Sequence, residues 1–238
     1  MAISIGNKIE LVSLKEVIQN VKEKHVFVSR ICDIMPKNQL QIAMPIYEGK
    51  IVPLSIDEKY TACFYTDGGL LQCNVVITSR YKKDNLFFLE VLMLSELSKV
   101  QRREFYRYKC SINALIRVIS DNEYETGIPD NTSVPERELD WDSAKILDIS
   151  GGGVKLIQKK HLEKNEIVKV NFMVSVLDEP FLFNLFARIL SSTPINGRND
   201  IYEQRLEFMK ISPDDRDKII RFIFESERLA RAKNTGLI

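Results

Sequence analysis

Three arginines lie close together near the middle of the chain, just before a segment whose alternation predicts a β-strand. Arg102, Arg103 and Arg107 fall within six consecutive positions. A guanidinium group presents a planar fork of N–H donors that fits two phosphate oxygens at once, and its flat face stacks on aromatic rings. This spacing indicates a local site for phosphate groups and bases, although a solvated basic linker has the same composition.

A second polar segment follows about forty residues later, where Asp148 and Ser150 end a predicted strand and precede Gly151, Gly152 and Gly153. Residues two apart on an extended chain point to the same side. There a carboxylate can accept two hydrogen bonds from the N–H edge of a guanine, and a hydroxyl can bond to the base or its phosphate. Three glycines permit a turn, or a close approach of a ligand, that other residues forbid. The alternative is an ordinary glycine-rich hairpin whose turn is capped by Asp148 and Ser150.

The elements that must position these residues begin with a β-rich N-terminal unit. Short, partly alternating apolar runs predict strands at 25–31, 39–44, 60–65, 70–78 and 85–93. Asp67-Gly68 between two of these runs predicts a hairpin, because glycine supplies the positive φ that a tight turn demands. Closely spaced strands with short turns predict a small barrel.

Strands resume after the basic block. Six further runs predict strands at 112–119, 144–149, 154–157, 167–176, 181–190 and 201–210. The acidic stretch 121–142, which carries Pro, Asn, Ser and Thr, is interpreted as an exposed loop without a functional role. Asn196-Gly197 predicts a hairpin between the last two strands.

The chain closes with a predicted helix. Ser212 offers an N-cap, and proline follows at the first helical position. An apolar stripe at helical spacing should pack on the second barrel, and its members are Ile219, Ile220, Ile223 and Phe224. The sequence therefore predicts a mainly β protein made of two small barrels, at residues 1–98 and 99–238, with a C-terminal α-helix.

Composition argues against several classes of protein. Thirty-four Lys and Arg against thirty-three Asp and Glu leave a net charge of +1, too little for a protein that grips long nucleic acid, so an anion site must be local. The four cysteines form no CxxC pair and the two histidines lie far apart, which argues against a metal site and for a reducing cytoplasm. No apolar run of about 18 residues predicts a membrane span. No residue has the partners that acid–base or nucleophilic catalysis needs, so an enzyme is not expected.

The two polar segments together resemble the paired signature of PilZ domains. The signature consists of Arg103-x-x-x-Arg107 and, after a strand and a loop, Asp148-x-Ser150-x-x-Gly153. The resemblance covers roughly residues 99–230. The N-terminal unit is similar, more weakly, to the companion split-barrel-like domain of flagellar-brake proteins of the YcgR type. The long acidic insert and the absence of a glycine ahead of Phe208 depart from the family pattern.

The resemblance implies a six-stranded barrel that binds cyclic di-GMP, often as an intercalated dimer of the ligand. It implies that Arg103 and Arg107 clamp phosphates and stack on guanine, with Arg102 assisting. Asp148 and Ser150 would read the guanine edges. The glycines that would line the same site are Gly151, Gly152 and Gly153, the last of which would keep the turn open.

From the resemblance we expect a cytoplasmic cyclic di-GMP receptor that needs no cofactor and is not an enzyme. Ligand binding at the domain boundary is expected to rotate one domain against the other and expose a surface for a protein partner. A flagellar motor or stator component would be such a partner. The receptor would then regulate motility or a related surface behaviour. Neither a nucleic acid polymer nor membrane insertion is expected. Two alternatives stay open: a single-stranded RNA binder, because Phe105, Tyr106 and Tyr108 interleave with basic residues, and a structural adaptor with a degenerate site.

Overall fold

The computed structural model describes residues 2–21, 24–128, 140–177, 179–195 and 198–234. The chain divides into two compact units, Met1–Arg102 and Arg103–Ile238. The division falls inside the basic block, whereas the sequence placed the boundary just before it. In the part of the chain that the structure describes, no helix is long and apolar enough to cross a membrane.

The first unit is a six-stranded closed barrel. Its elements are β1 (Lys8–Ser13), α1 (Leu14–Ile18), β2 (Val26–Met35), β3 (Gln39–Ala43), β4 (Ile46–Tyr47), β5 (Lys50–Ile51), β6 (Lys59–Thr66), β7 (Gly69–Lys83), β8 (Leu86–Met93) and β9 (Ser98–Lys99). The strands pair in the order β1-β6-β7-β8-β3-β2, and β2 closes the ring on β1. The short strands β4 and β5 extend from β2, and β9 pairs with β7.

Alternation of apolar and polar residues builds the core of this barrel, as expected of strands with one buried face. The buried side chains of β7 recur at every second position, at Leu71, Cys73, Val75 and Ile77. The predicted hairpin is confirmed, because Thr66 at the end of β6 pairs with Gly69 at the start of β7. Gly69 has a φ of +117°, which a residue with a side chain rarely adopts.

The second unit is also a six-stranded closed barrel. Its elements are β10 (Tyr108–Val118), α2 (Asp121–Thr126), β11 (Asp142–Ser150), β12 (Gly153–Gln158), β13 (Ile167–Val176), β14 (Glu179–Ile195), β15 (Arg198–Met209) and α3 (Pro213–Asn234). The strands close in the order β10-β11-β12-β15-β14-β13. The predicted mainly β fold with two barrels and a C-terminal helix is confirmed. The predicted turn at Asn196-Gly197 lies outside the described residues.

The C-terminal helix begins as predicted but buries only half of its predicted stripe. The Ser212 hydroxyl accepts a hydrogen bond from the backbone N–H of Asp215 at 3.0 Å, which caps α3. Ile219 and Ile223, which are one turn apart, are buried at 0% and 6% exposure. Ile220 and Phe224 are instead 41% and 67% exposed, because a step of one residue turns a side chain by about 100° around the helix. The interpretation of all four residues as one packed stripe is therefore wrong.

The stretch that the sequence interpreted as an exposed loop begins with a helix. Ser120 caps α2 by accepting a hydrogen bond from the backbone N–H of Glu123 at 3.0 Å, and Gly127 ends it with a φ of +72°. Glu123 is only 1% exposed and pairs with Arg117 of β10. Ser120-x-x-Glu123 is a capping-box pattern that the sequence interpretation overlooked. Residues 129–139 of the same insert lie outside the described ranges.

Candidate functional site

The β10–β11 pairing brings the arginine segment beside the aspartate–serine–glycine turn. Tyr108, directly after Arg107, pairs with Ile149, and Lys109 pairs with Asp148. Because paired strands lie about 4.8 Å apart, the end of the arginine segment and the start of the turn are neighbours within the second unit. The sequence interpretation requires these two segments to lie close together, and the pairing of β10 with β11 makes them adjacent.

A register shift directs Asp148 outward. Ala144 and Ile146 are buried in the barrel core, and simple alternation would turn Asp148 inward as well. The pairing with β12 slips by one residue at Leu147, which is the arrangement of a β-bulge. Ile149 then takes the inward position at 0% exposure, and the Asp148 side chain faces outward with 19% exposed. The carboxylate is therefore available to a ligand on the outer face of the barrel.

The Ser150 hydroxyl closes the turn between β11 and β12. It donates a hydrogen bond to the carbonyl of Gly153 at 3.1 Å and accepts one from the backbone N–H of Gly152 at 3.4 Å. The residue is 8% exposed. These contacts fit the turn-capping alternative for Ser150, and recognition of guanine by this hydroxyl stays a prediction.

Gly153 is required by the packing of two strands. A Cβ atom on it would lie 2.0 Å from the backbone oxygen of Leu206 in β15 and 3.1 Å from the Cα of Glu207. The close approach is secured by a 2.9 Å hydrogen bond from the N–H of Phe208 to the carbonyl of Gly152. The last glycine of the signature therefore lets β12 and β15 meet.

Gly151 and Gly152 lie against the ring of Phe105, a contact that the sequence did not reveal. A Cβ atom on Gly151 would lie 2.7 Å from Phe105 Cδ1, and one on Gly152 would lie 3.1 Å from Phe105 Cδ2. The guanidinium carbon of Arg216, in the first turn of α3, lies 5.1 Å from the centroid of the same ring. Phe105 stands between Arg103 and Arg107 in the sequence, so its packing anchors the arginine segment on the glycine turn.

The two tyrosines of the segment contact the C-terminal helix. The Tyr106 hydroxyl donates a hydrogen bond to Glu227 at 3.2 Å, and the Tyr108 ring meets Phe222 edge-on with centroids 6.1 Å apart. Contacts of this kind anchor the path of the chain around Arg107, which is itself exposed. The three aromatic residues that suggested RNA binding thus contact other residues of the second unit.

The arginines are divided between the two units. Arg102 belongs to the first unit, where its guanidinium donates hydrogen bonds to Glu10 at 3.2 and 3.3 Å and lies 5.5 Å from the ring centroid of Tyr65. Arg103 and Arg107 are exposed and belong to the second unit, together with Asp148. An assisting role of Arg102 in ligand binding stays a prediction.

Comparison with known families identifies this arrangement. The family model for the PilZ domain matches residues 101–225, slightly more than half of the chain. The chain belongs to the PilZ domain family. A second family model, described as flagellar protein YcgR, matches residues 4–92 of this PilZ protein. A search of curated proteins gives no match.

Two solved structures share the fold of this PilZ protein. MotI/DgrA of Bacillus subtilis, an inhibitor of motility, is similar with a TM-score of 0.73 at 17% identity, covering 96% of this chain and 100% of that chain. YcgR of Escherichia coli in complex with c-di-GMP is similar with a TM-score of 0.50 at 16% identity, covering 98% and 89%. At these identities the likeness concerns the fold, which in both cases extends over nearly the whole of this chain.

Two further groups of this PilZ protein lie near Asp148 and were missed by sequence reasoning. Lys155 Nζ is 3.5 Å from Asp148 Oδ2. Burial, with a smaller contribution from the Asp148 charge, raises the pKa of the Cys110 thiol to about 11. The thiol therefore stays protonated at neutral pH and is a poor nucleophile. The alternation of residues along β12 indicates that Lys155 lies on the outer face of the barrel. Only the register of β11 against β12 identifies Asp148 as its partner.

Proposed function

We propose that this PilZ protein is a receptor for cyclic di-GMP, which binds at Arg103, Arg107 and Asp148 on the outer face of the second barrel. The observation that carries the proposal is the pairing of Tyr108 and Lys109 with Ile149 and Asp148. It places the end of the segment that carries Arg103 and Arg107, both exposed, beside the part of β11 that carries the outward Asp148 side chain. The fold shared with a protein whose structure was solved in complex with c-di-GMP supports the choice of ligand.

Each part of the ligand meets a suitable group. The two phosphates would meet the guanidinium groups of Arg103 and Arg107 in charge-assisted hydrogen bonds, each worth roughly 1.5–3 kcal/mol. The Asp148 carboxylate has acceptor sites for the two N–H groups of a guanine edge. An adenine does not present this pair of donors, so the proposed site discriminates between the bases. Binding of this kind requires no catalytic step and no cofactor.

Calorimetry tests the proposal. Cyclic di-GMP should bind the wild-type protein, and Arg103→Ala should lose at least about 2 kcal/mol, or roughly thirtyfold in affinity. GTP and cyclic di-AMP should bind poorly. The matched control is Arg30→Ala, which removes the same charge from an exposed position on β2 of the first barrel and should bind like the wild type. Absence of binding by the wild type would contradict the receptor function, and equal affinities would contradict the role of Arg103.

The proposal extends to the output of the receptor. The chain passes from the first unit to the second between Arg102 and Arg103, inside the segment that the ligand would order. A ligand with different affinities for two domain arrangements would shift their populations, and a protein partner, such as a flagellar motor component, would respond to the change.

Small-angle scattering tests this domain rearrangement. We expect the profile of the protein saturated with cyclic di-GMP to differ from that of the free protein, because the ligand holds the segment that joins the units. The control is Arg103→Ala at a ligand concentration that just saturates the wild type, and its profile should lie closer to that of the free protein. Superimposable free and saturated profiles of the wild type would refute the rearrangement and leave the binding site intact.

A further inference from the structure

A chain of ion pairs lies on the outer face of the second barrel, next to the proposed site. Lys155 Nζ is 3.5 Å from Asp148 Oδ2 and 3.4 Å from Glu203 Oε2. Arg205 Nη2 is 3.7 Å from the other Glu203 oxygen, Oε1. The pairing of the strands creates this order, because Lys155 of β12 pairs with Asp148 of β11 on one side and with Arg205 of β15 on the other.

Stability of the barrel does not explain this chain of charges. The Lys155, Asp148 and Glu203 side chains are 29%, 19% and 30% exposed, and partly solvated ion pairs contribute little to folding. The inward residues of the same strand, Val154 and Leu156, are 4% and 0% exposed and supply the hydrophobic packing. The position of Lys155 beside the one outward carboxylate of the signature requires another explanation.

Lys155 restricts the orientation of the Asp148 carboxylate. Its ammonium lies 3.5 Å from Oδ2, so a rotation of the carboxylate that moves this oxygen away weakens the attraction between the two charges. A guanine edge presents its two N–H donors in one plane, so the carboxylate must lie near that plane to accept both. Glu203 holds the ammonium from the opposite side, so Lys155 keeps its place when a ligand engages Asp148.

We propose that Lys155 is a positioning residue that determines the base specificity of the site, by holding the Asp148 carboxylate in the orientation that a guanine edge requires. Glu203 retains Lys155 in that place. This inference rests on the proposed cyclic di-GMP binding and adds a residue outside the arginine and aspartate–serine–glycine segments. A residue that acts through Asp148 has no effect once Asp148 can no longer accept from guanine.

A double-mutant cycle, followed by calorimetry with cyclic di-GMP, tests the proposal. Lys155→Ala should weaken binding by roughly threefold to fivefold, the upper range for one partly exposed charge interaction. In the Asp148→Ala background, where residue 148 has no acceptor, the same substitution should change affinity by less than about twofold. Lys155→Ala should also reduce the preference for cyclic di-GMP over cyclic di-AMP, and Lys155→Arg, which keeps the charge, should restore it.

The control is Lys160→Ala, which removes a lysine whose ammonium lies 3.6 Å from Asp142 on the same barrel. It should bind like the wild type. Wild-type affinity of Lys155→Ala would overturn the proposal. An equal loss in both backgrounds would also overturn it, because Lys155 would then contact the ligand directly. If the wild type does not bind cyclic di-GMP, the proposed function fails first, and the role of Lys155 fails with it.

Discussion

Gly153→Ala should lower the free energy of unfolding of the second barrel by about 3 kcal/mol, the upper range for overpacking in a tightly packed interior. The added Cβ would lie 2.0 Å from the backbone oxygen of Leu206, and a backbone atom cannot rotate away. The strands β12 and β15 must separate at that point. Denaturant unfolding followed by the fluorescence of Trp141, the single tryptophan, reports on this barrel.

Gly151→Ala is the matched comparison for Gly153→Ala. Its Cβ would lie 2.7 Å from Phe105 Cδ1, an aromatic side chain that can move. We expect a smaller loss of stability, about 1 kcal/mol, with weaker ligand binding because the arginine segment loses its anchor. Equal destabilisation by the two substitutions would contradict this account. Loss of binding in Gly153→Ala would reflect damage to the barrel, so it cannot be attributed to a lost ligand contact.

Glu123→Ala should destabilise the second barrel by about 3–5 kcal/mol, the cost of leaving one partner of a buried ion pair without its counter-charge. Arg117 donates a hydrogen bond from Nη1 to Glu123 Oε2 at 2.9 Å and another from Nη2 to Oε1. The two side chains are 12% and 1% exposed. The guanidinium carbon also lies 5.3 Å from the ring centroid of Trp141. Urea unfolding at constant pH measures the loss.

Glu125→Ala provides the control for Glu123→Ala within the same short helix. Glu125 pairs with Lys210 at 3.2 Å, but the two side chains are 70% and 48% exposed. Exposed pairs contribute about 0–1 kcal/mol, so this substitution should change the unfolding midpoint little. A midpoint of Glu123→Ala equal to that of Glu125→Ala would show that the buried pair is not a main support of the barrel.

Much of the fold was predictable because the decisive patterns are local. The hairpin between β6 and β7 depends on the positive φ of Gly69, and the start of α3 depends on a Ser212 cap within one turn of chain. The capping box at Ser120 was equally local and was overlooked in an acidic stretch that resembled a loop. Exposure of Ile220 and Phe224 could not be predicted in the same way, because it depends on which face of α3 meets the barrel.

The sequence by itself determined five of the six strands of the first barrel, all six of the second, the C-terminal helix and the signature of the PilZ family, since each depends on residue types at short spacing. It did not predict β1 (Lys8–Ser13), which closes the first barrel. Only the tertiary structure decided that a one-residue slip at Leu147 directs Asp148 outward, that Phe105 fills the space above two glycines, and that Gly153 faces Leu206. The physical reason is that a closed barrel sets its register through pairs of strands far apart in the chain. Which side chains meet is then a property of the whole ring.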